Sequence, residues 1–96
     1  MSYRPGSRWN DTNELQCLLI FKKLKRDGFP YGASINYCRD LALFTVLKVR
    51  SISAKVGNYK SEAGITNSSN SSTNTKLIFQ KYNEMSIETI ESLLLL

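Results

Sequence analysis

Histidine is absent from this sequence, cysteine occurs twice, and acidic residues number eight against thirteen lysines and arginines. Without histidine, and with Cys17 and Cys38 far apart, a conventional zinc site has no ligand set. There is no glycine-rich phosphate loop, and no carboxylates are paired at a catalytic spacing. No enzymatic activity, metal or cofactor is therefore expected. Two prolines and five glycines are too few for a generally disordered chain. No apolar run is long enough to span a bilayer, and no secretory segment is present. The reading is cytoplasmic, with no membrane partner. Each cysteine reads as a small core residue, a disulfide between them being the alternative.

What is present is a basic chain of one-domain size, residues 1–96. It would bury roughly 60–65% of its unfolded surface, so its core must be economical. The formal charge is +5 and the pI about 9.4. Nucleic acid, an anionic membrane surface or an acidic protein is the partner class such a balance suggests. The charge is uneven. Lys22, Lys23, Lys25 and Arg26 face only Asp27 in one short run. Arg39, Lys48, Arg50, Lys55 and Lys60 face only Asp40 across 39–60. The remainder towards the C-terminus is mildly acidic.

Apolar spacing predicts an all-α protein, a compact bundle of four to five short helices. Residues 1–10 read as an arm. Its Trp9 either anchors on the first helix or stacks on a partner, and Arg4 and Arg8 either reach a DNA groove or stay solvated. Asp11 and Glu14 have capping-box spacing at the start of that helix. Leu15, Leu18, Leu19, Ile20, Phe21 and Leu24 then give a face broad enough for the central packing helix. Lys22, Lys23, Lys25 and Arg26 either complement the helix C-terminus or contact phosphate. Gly28 stops the helix and Pro30 delays the next. A second helix is expected over 34–47, capped by Ser34, with a short extended stretch at 45–49 as the fallback.

The stretch 50–61, R-S-I-S-A-K-V-G-N-Y-K-S, is the chemical centre. Ser51 would cap a helix over 52–60 that turns Ile52, Val56 and Tyr59 inward. Lys55 and Asn58 then lie away from that stripe, with Lys60 at the end. A helix, a tight connection and a short polar-faced helix make a helix-turn-helix-like pair. Ser51 and the first-turn amides suit a phosphate. Arg50, Lys55 and Lys60 suit the DNA backbone, Asn58 suits adenine, and Arg50 or Lys55 suits guanine. The full candidate set is Arg50, Ser51, Lys55, Asn58 and Lys60, with Lys22, Lys23, Lys25 and Arg26 assisting. Gly57 either admits a close helix crossing or breaks the helix.

On Trp9, Asp11 and Glu14, then Arg50, Ser51, Ala54, Lys55, Asn58 and Tyr59, followed by Gly64, Phe79 and Tyr82, the chain resembles a small helical domain. That domain stands at the N-terminus of some bacterial HNH-type and restriction-like endonucleases. The resemblance spans 9–85 and implies double-stranded DNA recognition or the positioning of a nuclease, as in restriction-modification or phage defence. The family's catalytic domain has no counterpart in these residues, which lack histidine. A stand-alone relative, a fragment and a borrowed scaffold all remain open. The runner-up reading is a protein-interaction module, an inhibitor or accessory subunit that uses the basic face on an acidic partner.

Residues 66–75, T-N-S-S-N-S-S-T-N-T, read as a flexible polar loop. A helix is expected over 75–83, with Leu77, Ile78, Phe79 and Tyr82 inward. Another starts near Ser86 and Thr89. Leu93, Leu94, Leu95 and Leu96 form an apolar end that either tucks into the core or makes a homodimer contact.

Overall fold

The computed structural model describes residues 3–66 and 71–95 and contains five helices: α1 (Asp11–Arg26), α2 (Ala33–Leu43), α3 (Val49–Glu62), α4 (Thr73–Tyr82) and α5 (Ile87–Leu94). No strand occurs among the described residues, so the all-α expectation holds and the extended fallback at 45–49 does not. The radius of gyration is 12.5 Å, about what a compact domain of this length has. No described helix is long and apolar enough to cross a membrane.

The first helix is central, as its broad apolar face implies: it packs on each of the other four. Leu15, Cys17, Leu18, Ile20, Phe21 and Leu24 are buried on it. They meet Cys38, Leu47, Ile52, Val56, Tyr59, Ile78 and Ile90 from the other elements. Each such side chain contributes about 1.5–3 kcal/mol by leaving water. Both cysteines are free thiols in this core.

Helix ends account for most boundary corrections. The α1 cap is Asn10, whose side chain accepts from the Asn13 amide at 2.8 Å; Asp11 is already helical. Ser72 and Ser86 cap α4 and α5 in the same way. In α2 the cap position falls on Gly32, at φ 81°, and Ser34 lies inside the first turn. That helix stops at Leu43, four residues short of expectation. Thr45 Oγ1 donates to the Leu41 carbonyl and accepts from the Leu47 amide. These side-chain bonds compete with continued helix. The next helix starts earlier than expected, at Val49, so Arg50 and Ser51 are both helical and Lys48 is the cap. It runs unbroken through Gly57, around which an added Cβ would meet nothing within 4 Å. Gly57 therefore serves no close crossing.

The C-terminus of α1 closes with paired bonds, Phe29 N to Leu24 O at 2.8 Å and Gly28 N to Lys25 O at 3.2 Å. This is a Schellman motif, and it needs Gly28 in the left-handed region, φ 77°. Phe29 is also left-handed, at φ 53°, a conformation that costs a side-chain-bearing residue about 1–2 kcal/mol. Its ring packs on Phe21 with centroids 6.3 Å apart, and the Lys60 ammonium lies 4.8 Å from the ring centre. Those contacts hold it there.

The polar stretch 66–75 is shorter than its composition implies. Thr73 and Asn74 are helical, and Thr75 is fully buried. Residues 67–70 lie outside the described set. At the C-terminal end Leu94 packs on the core while Leu95 is exposed, and Leu96 lies outside the described residues.

Candidate nucleic-acid interface

The site begins with a buried polar cluster that fixes α3 against α1 and α4. Glu14 is 1% exposed and Lys55 9%. Lys55 Nζ donates to Glu14 Oε2 at 3.3 Å and to Thr75 Oγ1 at 2.9 Å. The Tyr59 hydroxyl donates to Glu14 Oε1 at 2.8 Å. Thr75 Oγ1 lies 3.1 and 3.2 Å from the two carboxylate oxygens, so its single proton is spent on Glu14. The ammonium also stands 4.4 Å from the centre of the Trp9 ring. Trp9 thus anchors the arm, and it does so on α3 as well as on the core.

The expectation that Lys55 stands away from the apolar stripe is corrected. Lys55 lies three residues after Ile52 and four before Tyr59, so it shares their helix face. Its stem runs inward to the carboxylate, and it is not presented to a phosphate or a base. Glu14 is corrected too. It closes no capping box, because Asn10 is the cap and Asn13 holds the third helical position, while the Glu14 carboxylate is buried. The charge of Glu14 also acts on its neighbours. Burial first, and then this carboxylate, raise the Tyr59 hydroxyl well above its ordinary value. The same two causes push the Cys17 thiol up to about 12. A shallow pocket of about 280 Å³ opens above the cluster, with Tyr3, Arg4, Ser7 and Asn74 in its walls. Among the described residues no group of three or more His, Cys, Asp or Glu side chains could hold a metal.

The cations at the end of α1 are mostly engaged by the fold. Lys22 Nζ donates to the Asn83 carbonyl at the end of α4, at 2.7 Å. Partial burial, then Lys25, lower its pKa. Lys23 pairs with Glu91 at 3.2 Å. Arg26 makes a two-pronged bond to Asp27, at 2.9 and 3.1 Å. Lys25 is exposed. Together with Glu84, Lys22, Lys25 and Arg26 line a cleft of about 430 Å³. Helices α1 and α4 end at this place, which favours cations, while Ile87 in the first turn of α5 also lines the cleft.

The N-terminus of α3 differs. Arg50 is exposed in its first turn, and Lys48 is exposed at the cap without a side-chain cap bond. Ser51 is half-buried, also in that turn. The Arg8 guanidinium reaches the connection 44–48 and donates to the Val46 carbonyl at 3.5 Å. The arm and the α2–α3 corner are thereby joined. Arg8 and Lys48 were absent from the sequence-based set. The sequence marks Arg8 as an arm cation and Lys48 as part of the charge over 39–60, and nothing local joins the two. Asn58 is half-buried further along α3 and Lys60 lies over Phe29, so neither belongs to this corner. The exposed face of α3 is otherwise small: Ser53, Ala54 and Gly57.

No family model, no curated protein and no solved structure matches the chain. None of these comparisons points to a nuclease or DNA-recognition family.

Proposed function

We propose that the protein binds double-stranded DNA through the α2–α3 corner, with Arg8, Lys48 and Arg50 on backbone phosphates. What supports this reading is that Lys48 and Arg50 are exposed at the cap and in the first turn of α3, and that the exposed Arg8 bonds the Val46 carbonyl just before them, where the first-turn amides add to their field. Phosphate contacts supply position and affinity, while base contacts supply specificity. With Lys55 buried and Asn58 away from this corner, Arg50 is the side chain left to meet a base edge, so binding is expected to be largely indifferent to sequence. This reading keeps Arg50 and Ser51 from the sequence-based set. It gives Lys55 the task of holding the presenting helix.

The test is titration of random duplex DNA at several salt concentrations. Each phosphate contact lowers log K against log salt by about 0.9, so a slope near three times that value is expected. A variant carrying Arg8→Ala, Lys48→Ala and Arg50→Ala should lose most of the slope while remaining folded. Wild-type protein that fails to bind at low salt would remove the proposal. The basic corner would then be left to an acidic protein, such as a nuclease partner.

A further inference from the structure

Next to the three cations stands an apolar point that the fold leaves uncovered. Leu43, Phe44 and Val46 are 79%, 83% and 67% exposed. The backbone that carries them is firmly held. The Phe44 amide donates to the Leu41 carbonyl at 3.0 Å, Thr45 Oγ1 bonds both Leu41 and Leu47, and Leu47 is buried. With Thr45 and Leu47 turned inward, Phe44 and Val46 are left outward on either side.

We infer that this turn is a wedge that enters the minor groove of duplex DNA, Phe44 leading, and unstacks a base step. The inference rests on the DNA-binding reading of the same corner. Its occupant follows from charge. Arg8 touches the Val46 carbonyl, Lys48 and Arg50 follow within four residues of Val46, and Arg39 lies one helical turn before Leu43. Asp40 is the one opposing charge on that part of α2. Cations beside an exposed apolar turn match phosphates beside a groove. Apolar side chains that enter from the minor groove unstack single steps and kink the duplex by roughly 20–90°. A single ring is enough for that. Three side chains bury too little apolar area for lasting residence in a bilayer. Pyrimidine–purine steps unstack most readily, so sequence preference would arise from deformability.

The experiment uses a short duplex with a dye at each end and one central TA step, read for binding and for end-to-end energy transfer. Wild-type protein should bind and bring the ends together. Phe44→Ala and Leu43→Ser/Phe44→Ser should bind with affinity reduced about tenfold or less and leave the duplex straight. Their exposure means both variants should stay folded, which circular dichroism checks. Binding by the wild type without bending, or bending that survives in both variants, would overturn the wedge and leave the binding proposal standing. No binding at all would overturn both. Phe44-dependent capture on phosphatidylserine vesicles, or a dimer lost in the double variant, combined with a straight duplex, would give the turn to another surface and also overturn it.

Discussion

Two basic regions, one contiguous in the sequence and one scattered, meet different fates in the fold. The run 22–26 carries four cations in five residues, but Lys22, Lys23 and Arg26 each have a partner within the protein. The corner built from Arg8, Lys48 and Arg50 is scattered in sequence; all three are exposed, and Arg8 alone of them bonds the fold in the contacts described, at 3.5 Å to the Val46 carbonyl. Lys55 is the limiting case of engagement, a cation wholly given to the interior. Formal charge therefore measures what a chain contains. What it offers a polyanion depends on which cations are already bonded and on which end of a helix they sit.

The largest expected effect probes that limiting case. Lys55→Met leaves Glu14 buried without its counter-charge and should cost about 3–5 kcal/mol. In a domain of this length that lowers Tm by roughly 15 °C or more. Glu14→Leu combined with Lys55→Met removes both charges and should recover much of the loss, as a thermal melt of the three proteins would show. A double variant no more stable than the single one would mean that the cluster's hydrogen bonds outweigh its charges.

A second probe uses alkali. The Tyr59 hydroxyl and the Cys17 thiol both have raised folded pKa values, from ordinary values of 10.0 and 9.0. Above those values the unfolded chain releases protons that the folded chain retains. The stability they represent is fully present below about pH 9 and is lost as pH rises further. Urea unfolding from pH 7 to 11 should show that decline. Tyr59→Phe should remove the part of the decline above about pH 10 and leave the Cys17 part, while lowering stability at neutral pH by about 1.5–3 kcal/mol, since a bond to a charged acceptor is lost.

The smallest effect isolates the surface of α3. Gly57 is exposed, helical and surrounded by open space. Gly57→Ala should stabilise the protein by about 0.5–1 kcal/mol, measured by chemical denaturation, and leave DNA binding unchanged. A change in affinity would show that the smooth face of α3 lies against the ligand.

Much of the fold was legible because apolar spacing is long-range information written locally. The face of α1 made it the central helix, and Ser86 with Thr89 marked the start of α5. The polar interior was not legible in the same way. Glu14 next to Asp11 has the form of a capping pair, and only the geometry of Asn10 shows that it is not one. Lys55 looked like surface because lysine usually is, although its spacing from Ile52 and Tyr59 already placed it on the inward face. Thr75 sat in a polar tract whose composition hid a buried hydroxyl. The α2–α3 corner depends on where α2 ends. That boundary is set by Thr45 bonding back to Leu41, a choice that strand-favouring neighbours do not reveal.

The comparison of the two basic regions is tested most directly by the salt dependence of duplex binding in two paired variants. Lys48→Ala/Arg50→Ala should flatten the log–log slope by nearly two and weaken binding roughly tenfold at moderate salt. Lys25→Ala/Arg26→Ala should leave slope and affinity close to those of the wild type. Equal losses in both pairs, or the larger loss at Lys25 and Arg26, would contradict the account and return the phosphate-binding surface to the end of α1.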